Sequence, residues 1–400
     1  MLKYSVPFIS TFVLLLGSAS PPSSTGPASD LTTPYADFGL DLLRQLSAGQ
    51  AKDNVFISPY SVAVSLAMLS NGANGATREA ILKTIHSPGQ SLQTFNVANR
   101  TLIEQIEKTT AVQLSVANGL WLKKSADINP IFSGTLHTSY GAEVQNLSFG
   151  DPSAAGTMNA WVAKHTNGRI PKIIDQTSPA TIAILTNAIA FKGKWSLRFD
   201  AASTRPHDFR APAGVRKVPM MTHSASYSHA KDNSLESIRL PYADGSFAMY
   251  VVLPQNANAM LSFLQQLTAK RFAAHVASLV EEPGTIELPR FHLSYGTSLN
   301  DPLKKLGMGI AFGKDADFSN IPKQPVPVPI SDVKHISFLQ VDEEGTEAAA
   351  ATAIVMPTMA LRRPTPPPFH MVVDHPFFLA IRDERSGQIL FMGVIVEPQS

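Results

Sequence analysis

The sequence predicts a single α+β domain, on three observations. Apolar residues recur at helical spacing through the first half of the chain. Short branched and aromatic runs, of strand length, dominate from residue 182 onward. Neither a fixed-period repeat nor an internal linker divides the 400 residues, so one large domain is favoured over the two or three that length alone suggests.

The first residues read as an export signal rather than as part of that domain. Lys3 supplies a positive start, Val6 to Leu16 is an apolar run, and Gly17-Ser18-Ala19 offers the small residues of a cleavage site. A membrane anchor would need about 20 apolar residues, more than this run holds. Residues 1–19 are therefore expected to be a signal peptide, 20–34 a disordered Pro/Ser-rich tail, and 35–400 the folded domain. The protein is expected to be secreted, extracellular or periplasmic, with no membrane attachment once the signal is removed.

Within the domain, Tyr35, Phe38, Leu42 and Leu46 follow helical spacing between Pro34 and Gly49. Ser58-Pro59 reads as an N-cap followed by proline at the first helical position, with Val62, Leu66 and Leu69 as the apolar stripe up to Gly72. Asn159 to Lys164 is a further helix, closed by Gly168. Residues 182–191, 249–253, 336–341, 376–381 and 389–396 are short apolar runs whose branched and aromatic content favours strands. Pro322, Pro325, Pro327 and Pro329 mark an extended connector. Pro364, Pro366, Pro367 and Pro368 mark a second, which makes residues 357–368 an exposed extended loop, because consecutive prolines enter neither a helix nor a sheet ladder.

Composition closes several functional classes. The 33 basic and 31 acidic residues leave a net charge of +2, so a counterion-driven nucleic-acid binder is not expected. Zero cysteine removes disulfides, thiolate nucleophiles and cysteine zinc sites. No Gly-x-Ser-x-Gly, His-Glu-x-x-His or Gly-x-Gly-x-x-Gly pattern occurs. Gly307 to Lys314 imitates a phosphate loop, but its glycines are misspaced and Asp315 replaces the Ser/Thr; a helix end and turn is expected. His207, His223 and His229 could approach one another without metal-ligand spacing. Basic residues from Arg78 to Lys108 are single and mixed with acids, so no heparin-like site is expected. Neither a cofactor, a metal nor a catalytic role is anticipated.

The informative segment starts at Asp342. On propensity alone, Glu347 to Ala353 is a good helix. Read with period two, Thr346, Ala348, Ala350, Thr352, Ile354, Met356 and Thr358 share one small, uncharged face, and Glu347 falls on the other. Such a face can leave solvent as a buried strand without stranding a charge, and Gly345 supplies freedom for a hinge.

The hinge Glu343-Glu344-Gly345-Thr346-Glu347-Ala348-Ala349-Ala350-Ala351-Thr352-Ala353 closely resembles that of inhibitory serpins. The likeness spans residues 35–398. Phe56-Ile57-Ser58-Pro59-Tyr60-Ser61, Asn187 with Phe191-Lys192-Gly193-Lys194-Trp195, Val218-Pro219-Met220-Met221, Leu288-Pro289-Arg290-Phe291, Asp374-His375-Pro376-Phe377 and Leu390-Phe391-Met392-Gly393 all look like family signatures. The resemblance implies a fold of about nine helices and three β-sheets carrying an exposed reactive-centre loop, residues 343–368. It implies a suicide substrate of serine proteases: the loop is cleaved to an acyl-enzyme and then inserts as a central strand. About 17 residues at 3.3 Å each would carry the tethered protease roughly 55 Å. Strand insertion by such loops is the general example of strain release used for this family.

Family spacing from the hinge Glu343 places the attacked bond at Met359-Ala360. An unbranched apolar Met359 suits elastase-, chymotrypsin- or subtilisin-like pockets. Leu361, and Arg362 or Arg363 with trypsin-like targets, are the alternatives; the long stretch from Met359 to His375 keeps them open, and Pro364 counts against Arg363. The resemblance also implies two structural sites. Ser58, Ser61, Asn187 and His335 match a hydrogen-bonded shutter beneath the main sheet. Trp195, Arg290 and Glu343 match the breach where insertion begins, with an Arg290–Glu343 ion pair expected. The partner implied is a target serine protease bound covalently, and a monomer is expected. A non-inhibitory carrier or chaperone of the same fold is the rival reading, against which the uncharged hinge face counts; a secreted hydrolase has no motif behind it. Asn99-Arg100-Thr101 and Asn146-Leu147-Ser148 are glycosylation sequons.

Overall fold

The computed structural model describes residues 29–48, 53–256, 259–323, 328–344 and 367–399. The first helix, α1 (Ser29–Ser47), begins earlier than the proline suggested, and Pro34 lies inside it. The reason is burial: Leu31, Tyr35, Phe38 and Leu42 are fully buried at spacings of four, three and four, so the apolar stripe starts at Leu31. Residues 29–34 thus belong to the domain and not to the tail. α2 (Pro59–Ser70) is built as its sequence indicates. The Ser58 hydroxyl caps it by accepting from the Ser61 amide, with Pro59 in the first turn, and all twelve of its residues are buried.

The remaining helices are α3 (Gly75–Thr84), α4 (Leu92–Glu107), α5 (Pro130–Tyr140), α6 (Ser153–His165), α7 (Ala259–Gln266), α8 (Ala269–Ser278) and α9 (Asn300–Leu303). The strands are β1 (Val55–Ile57), β2 (Val112–Lys123), β3 (Glu143–Leu147), β4 (Ala183–Gly193), β5 (Arg205–Ala211), β6 (Gly214–Lys231), β7 (Leu235–Tyr242), β8 (Phe247–Pro254), β9 (Val280–Pro289), β10 (Phe291–Ser298), β11 (Asp332–Val341), β12 (Phe369–Val372), β13 (Phe377–Asp383) and β14 (Ile389–Ile395). All five runs expected to be strands are strands, each shifted by a few residues at most.

One sheet has five strands in the order β10-β11-β4-β2-β3. The other nine form a continuous pairing, β1-β14-β13-β8-β7-β6-β9-β12, with β5 added to β6. The 18-residue β6 explains how three sheets appear as two: its start pairs with β5 and its last four residues with β7, so it passes from one sheet into the next. No helix among the described residues is long and apolar enough to cross a membrane.

Pairing brings the separated signature segments together. Phe56 of β1 is in register with Gly393 of β14, and the Phe56 and Phe391 rings stack at 5.3 Å. A Cβ on Gly393 would sit 2.3 Å from the Val55 carbonyl oxygen, which is why only glycine fits there. Met220 faces Pro289 across β6 and β9, and the Arg290 amide donates to the Pro219 carbonyl at 2.8 Å. The main core lies between the sheets and α1 and α2. Two smaller clusters cover the other face of the five-stranded sheet beneath α6. One holds Trp121, Met158 and Ile174; the other holds Ala117, Val162, Ala188 and Ala190.

One turn expectation is met. Gly307, at φ +107°, interrupts two short helical turns, so the phosphate-loop imitation is a helix end. Pro367 and Pro368 are exposed and unpaired by strand; residues 357–366 lie outside the described residues. If α1 begins at Ser29, Leu31→Ala should cost about 2–5 kcal/mol in urea unfolding; an unchanged midpoint would return residues 29–34 to the tail.

Candidate functional site

The centre of the five-stranded sheet is a parallel pair with an antiparallel strand on either side. β11 runs parallel to β4, with His335 opposite Asn187 and Leu339 opposite Phe191. β4 is antiparallel to β2, with Asn187 opposite Asn118, and β10 is antiparallel to β11. Strand alternation puts His335, Asn187 and Asn118 on one face in a single row. That face looks onto α2.

The four residues matched to the shutter are therefore brought together. The His335 Nδ1 lies 2.6 Å from Asn187 Oδ1, and the Ser58 amide reaches His335 Nε2 at 3.3 Å. An amide can only donate, so Nε2 accepts and the proton sits on Nδ1. Asn187 Nδ2 donates to the Ser61 carbonyl at 3.1 Å, to the Ser61 hydroxyl, and to Asn118 Oδ1 at 2.6 Å. The Ser58 hydroxyl donates to the Leu390 carbonyl at 2.5 Å. Asn118 and Ser65, which join 2.9 Å apart, were missed in the sequence. The signal available was an asparagine in the middle of the apolar run 116–122.

Every member of this cluster is buried, so each polar group depends on its partners. Burial pushes the His335 imidazole down to about 3, which keeps it neutral and able to accept from Ser58.

At the C-terminal end of the same pair the chain leaves β11 through Asp342 and Glu343. Trp195 donates from Nε1 to the Asp342 carbonyl at 2.8 Å and stacks on Tyr242 at 4.4 Å. Glu343 is buried; its Oε1 accepts from the Thr204 hydroxyl at 2.6 Å and from Arg290 Nη1 at 3.3 Å. The expected Arg290–Glu343 pair is present, but Arg290 is 47% exposed, so solvent screens it to at most about 1 kcal/mol. Thr204, unanticipated from sequence, makes the shorter contact. Trp195, Arg290 and Glu343 are thus assembled at the top of the seam. Gly345, Thr346, Ala348, Ala350 and Thr352, and Met359, Ala360, Leu361, Arg362 and Arg363, lie outside the described residues.

A family model described as "Serpin (serine protease inhibitor)" matches residues 33–398. The chain belongs to the serpin family. Among curated relatives it is 34% identical to an uncharacterized serpin-like protein of Thermococcus kodakarensis, over 90% of this chain and 84% of that one. Among solved structures it is similar to mouse protein-Z dependent protease inhibitor, at 26% identity and a TM-score of 0.83, covering 93% of this chain and 98% of the other. It is equally similar to thyroxine-binding globulin in complex with thyroxine, at 26% identity and TM-score 0.83, over 93% and 100% of the two chains. The fold expected from the sequence, and a family described as serine protease inhibitors, are thereby established. A thyroxine-binding protein among the neighbours shows that one fold serves more than one role.

The remaining sequence candidates have structural partners. His223 Nδ1 meets the Tyr227 hydroxyl at 2.6 Å, and His207 Nδ1 lies 3.0 Å from the Asp208 carbonyl. No cluster of three or more metal-ligating side chains occurs among the described residues. Asn99 is fully buried, with its amide on the Phe95 carbonyl at 2.9 Å and its oxygen receiving the Tyr35 hydroxyl at 2.6 Å. That sequon cannot carry a glycan in the folded protein. Asn146 is exposed, but its amide donates to the Lys123 and Ala126 carbonyls at 3.0 and 2.8 Å.

The depressed His335 has a pH consequence. Between its unfolded value near 6.5 and about 3, the unfolded chain binds a proton that the folded one refuses. Its contribution is complete above pH 6.5 and is lost as pH falls through that window, on the order of 4–5 kcal/mol in full. Urea unfolding of the protein and of His335→Gln at pH 7, 5.5 and 4.5 should show their stability difference shrinking with acid. A difference independent of pH would mean His335 does not titrate this way.

Proposed function

We propose that the chain is a secreted suicide-substrate inhibitor of serine proteases. The observation that carries this reading is the seam: a parallel β11–β4 pair whose C-terminal end leads straight into the Glu343–Gly345 hinge. A strand turning back at Gly345 and running between the two would be antiparallel to both. It would replace one parallel ladder by two antiparallel ones, each somewhat stronger per residue. The residues that would face the core on entry, Thr346, Ala348, Ala350 and Thr352, are small and uncharged, so entry strands no charge.

The seam is also suited to parting. On one face its middle is fastened by polar contacts to α2, which can exchange partners, between layers of buried apolar side chains such as Ile189, Phe191 and Leu339. On the α6 face β4 presents only the small Ala188 and Ala190 beside Ile336 and Phe338 of β11. The single protease trapped per inhibitor follows from displacement of the acyl-enzyme by roughly 55 Å, the length of about 17 extended residues. Met359-Ala360 is the bond proposed for attack, with elastase-, chymotrypsin- or subtilisin-like targets; export rests on the Lys3 to Ala19 segment.

Incubation with a panel of such proteases should give a complex that survives SDS and release a peptide beginning at Ala360. Cleavage without a complex would overturn inhibition and favour a carrier role. A peptide beginning at Arg362, Arg363 or Pro364 would move the bond to Leu361, Arg362 or Arg363. In a second experiment, Thr346→Arg should raise the number of inhibitor molecules consumed per protease by about tenfold or more, because the guanidinium would have to be buried. Unchanged stoichiometry in that variant would sink the insertion mechanism.

A further inference from the structure

His229 is not part of the seam, yet it is the most constrained titratable side chain near the far end of residues 345–366. It lies in β6 and its side chain is 2% exposed. Nδ1 sits 2.5 Å from Glu282 Oε1 of β9, and Nε2 sits 3.0 Å from Glu236 Oε1 of β7. Ionised carboxylates only accept, so both contacts are hydrogen bonds only when both ring nitrogens carry protons, as in the imidazolium. The other charges here are Lys231, which bonds Glu236 at 2.9 Å, and Glu281 of β9, which receives the Ser228 hydroxyl at 3.2 Å.

The face of the same ring carries Phe369, the first residue of β12, stacked at 3.9 Å and 7°. A cation over an aromatic face adds to the attraction. Phe369 packs closely over its strand partner. It faces Gly284 in register, where a Cβ would lie 2.1 Å from its ring, and Tyr227 abuts it edge-on at 6.4 Å. β12 has four residues and pairs only with β9, at the end of the sheet. His370 points to the opposite face and bonds Glu287 at 2.8 Å. Beyond β12, Asp374 is held by Arg210 at 2.7 Å, a second tether away from His229.

We propose that His229 is a pH-sensitive latch: its imidazolium, clamped by Glu236 and Glu282, holds Phe369 and so fastens β12 to β9. Loss of one proton points a nitrogen lone pair at a carboxylate at hydrogen-bond distance. Ring or carboxylate must then shift, and the stack on Phe369 shifts with the ring. Burial alone pushes this imidazole down, but the hydrogen bonds and charges of Glu236 and Glu282 outweigh burial and raise it above the ordinary histidine value. A raised folded value means the latch is complete at low pH and is lost as pH rises through that value. β12 directly follows the segment that bears the proposed scissile bond, so the latch sets how firmly that end of the segment is moored. The inference concerns strand attachment and does not depend on whether the protein inhibits a protease.

Hydrogen exchange of the 369–372 amides between pH 6 and 9, corrected for intrinsic rates, tests it. Protection should fall about two- to tenfold, the equivalent of one hydrogen bond, while β10 amides hold constant. Glu282→Gln keeps the shape of the partly exposed partner and should move the fall to lower pH. His229→Gln should abolish the pH dependence. Protection independent of pH in the unaltered protein, the same fall in His229→Gln, or an unmoved midpoint in Glu282→Gln would each overturn the latch.

Discussion

The pairing of β11 with β4 is the constraint on which the rest of the molecule depends. Two parallel strands side by side in the middle of a sheet need a long crossover connection between them. The chain between them, residues 194–331, supplies it by building most of the second sheet system and α7 to α9. The same pairing aligns His335 with Asn187 and, through β4, Asn187 with Asn118. A polar row then crosses the sheet where an apolar one would ordinarily lie, and α2 has to answer it. Ser58, Ser61 and Ser65 do so from the first two turns of that helix, with the cap, the helix start and the cluster sharing one hydroxyl. Neutral His335 is a consequence of this burial, because a charged ring would leave the Ser58 amide without an acceptor.

Two ends of one segment are fastened by different chemistry. Before residue 345, Trp195, Thr204 and Arg290 hold the Asp342–Glu343 backbone and carboxylate. After residue 366, a ring stack, a close-fitting glycine and two carboxylates hold Phe369. The first set joins one carboxylate to a hydroxyl and an exposed guanidinium, and adds an indole N–H on a backbone carbonyl. The second contains a buried histidine and changes with pH.

The comparison between sequence and structure is uneven in an instructive way. Ser58-Pro59 was legible as a helix start because capping is local: one hydroxyl, one proline, one amide three residues on. Four of the five strand runs were legible because burial on both faces leaves no polar alternation to confuse; in β11 burial alternates, and branched and aromatic content carried the reading. The start of α1 was misread because Pro34 is a strong local signal, while the burial of Leu31 that overrides it comes from packing against distant elements. Asn118 and Thr204 were missed for the same reason; each is unremarkable in its own segment, and its partner lies 69 or 139 residues away. His229 was noticed only as a loose candidate ligand, since nothing near it in sequence announces Glu282 or Phe369.

The sequence by itself determined the domain class, the Ser58 helix cap, the strand runs and the uncharged alternate face beyond Gly345, because these follow from periodicity, capping and charge, which act over a few residues. The signature residues also sufficed to indicate the family. Tertiary structure alone decided which polar residues meet, that β11 lies parallel to β4, that Asn99 is sealed from modification, and that His229 is clamped at the base of β12. Those outcomes depend on strand order and register, which bring together side chains that no local rule connects.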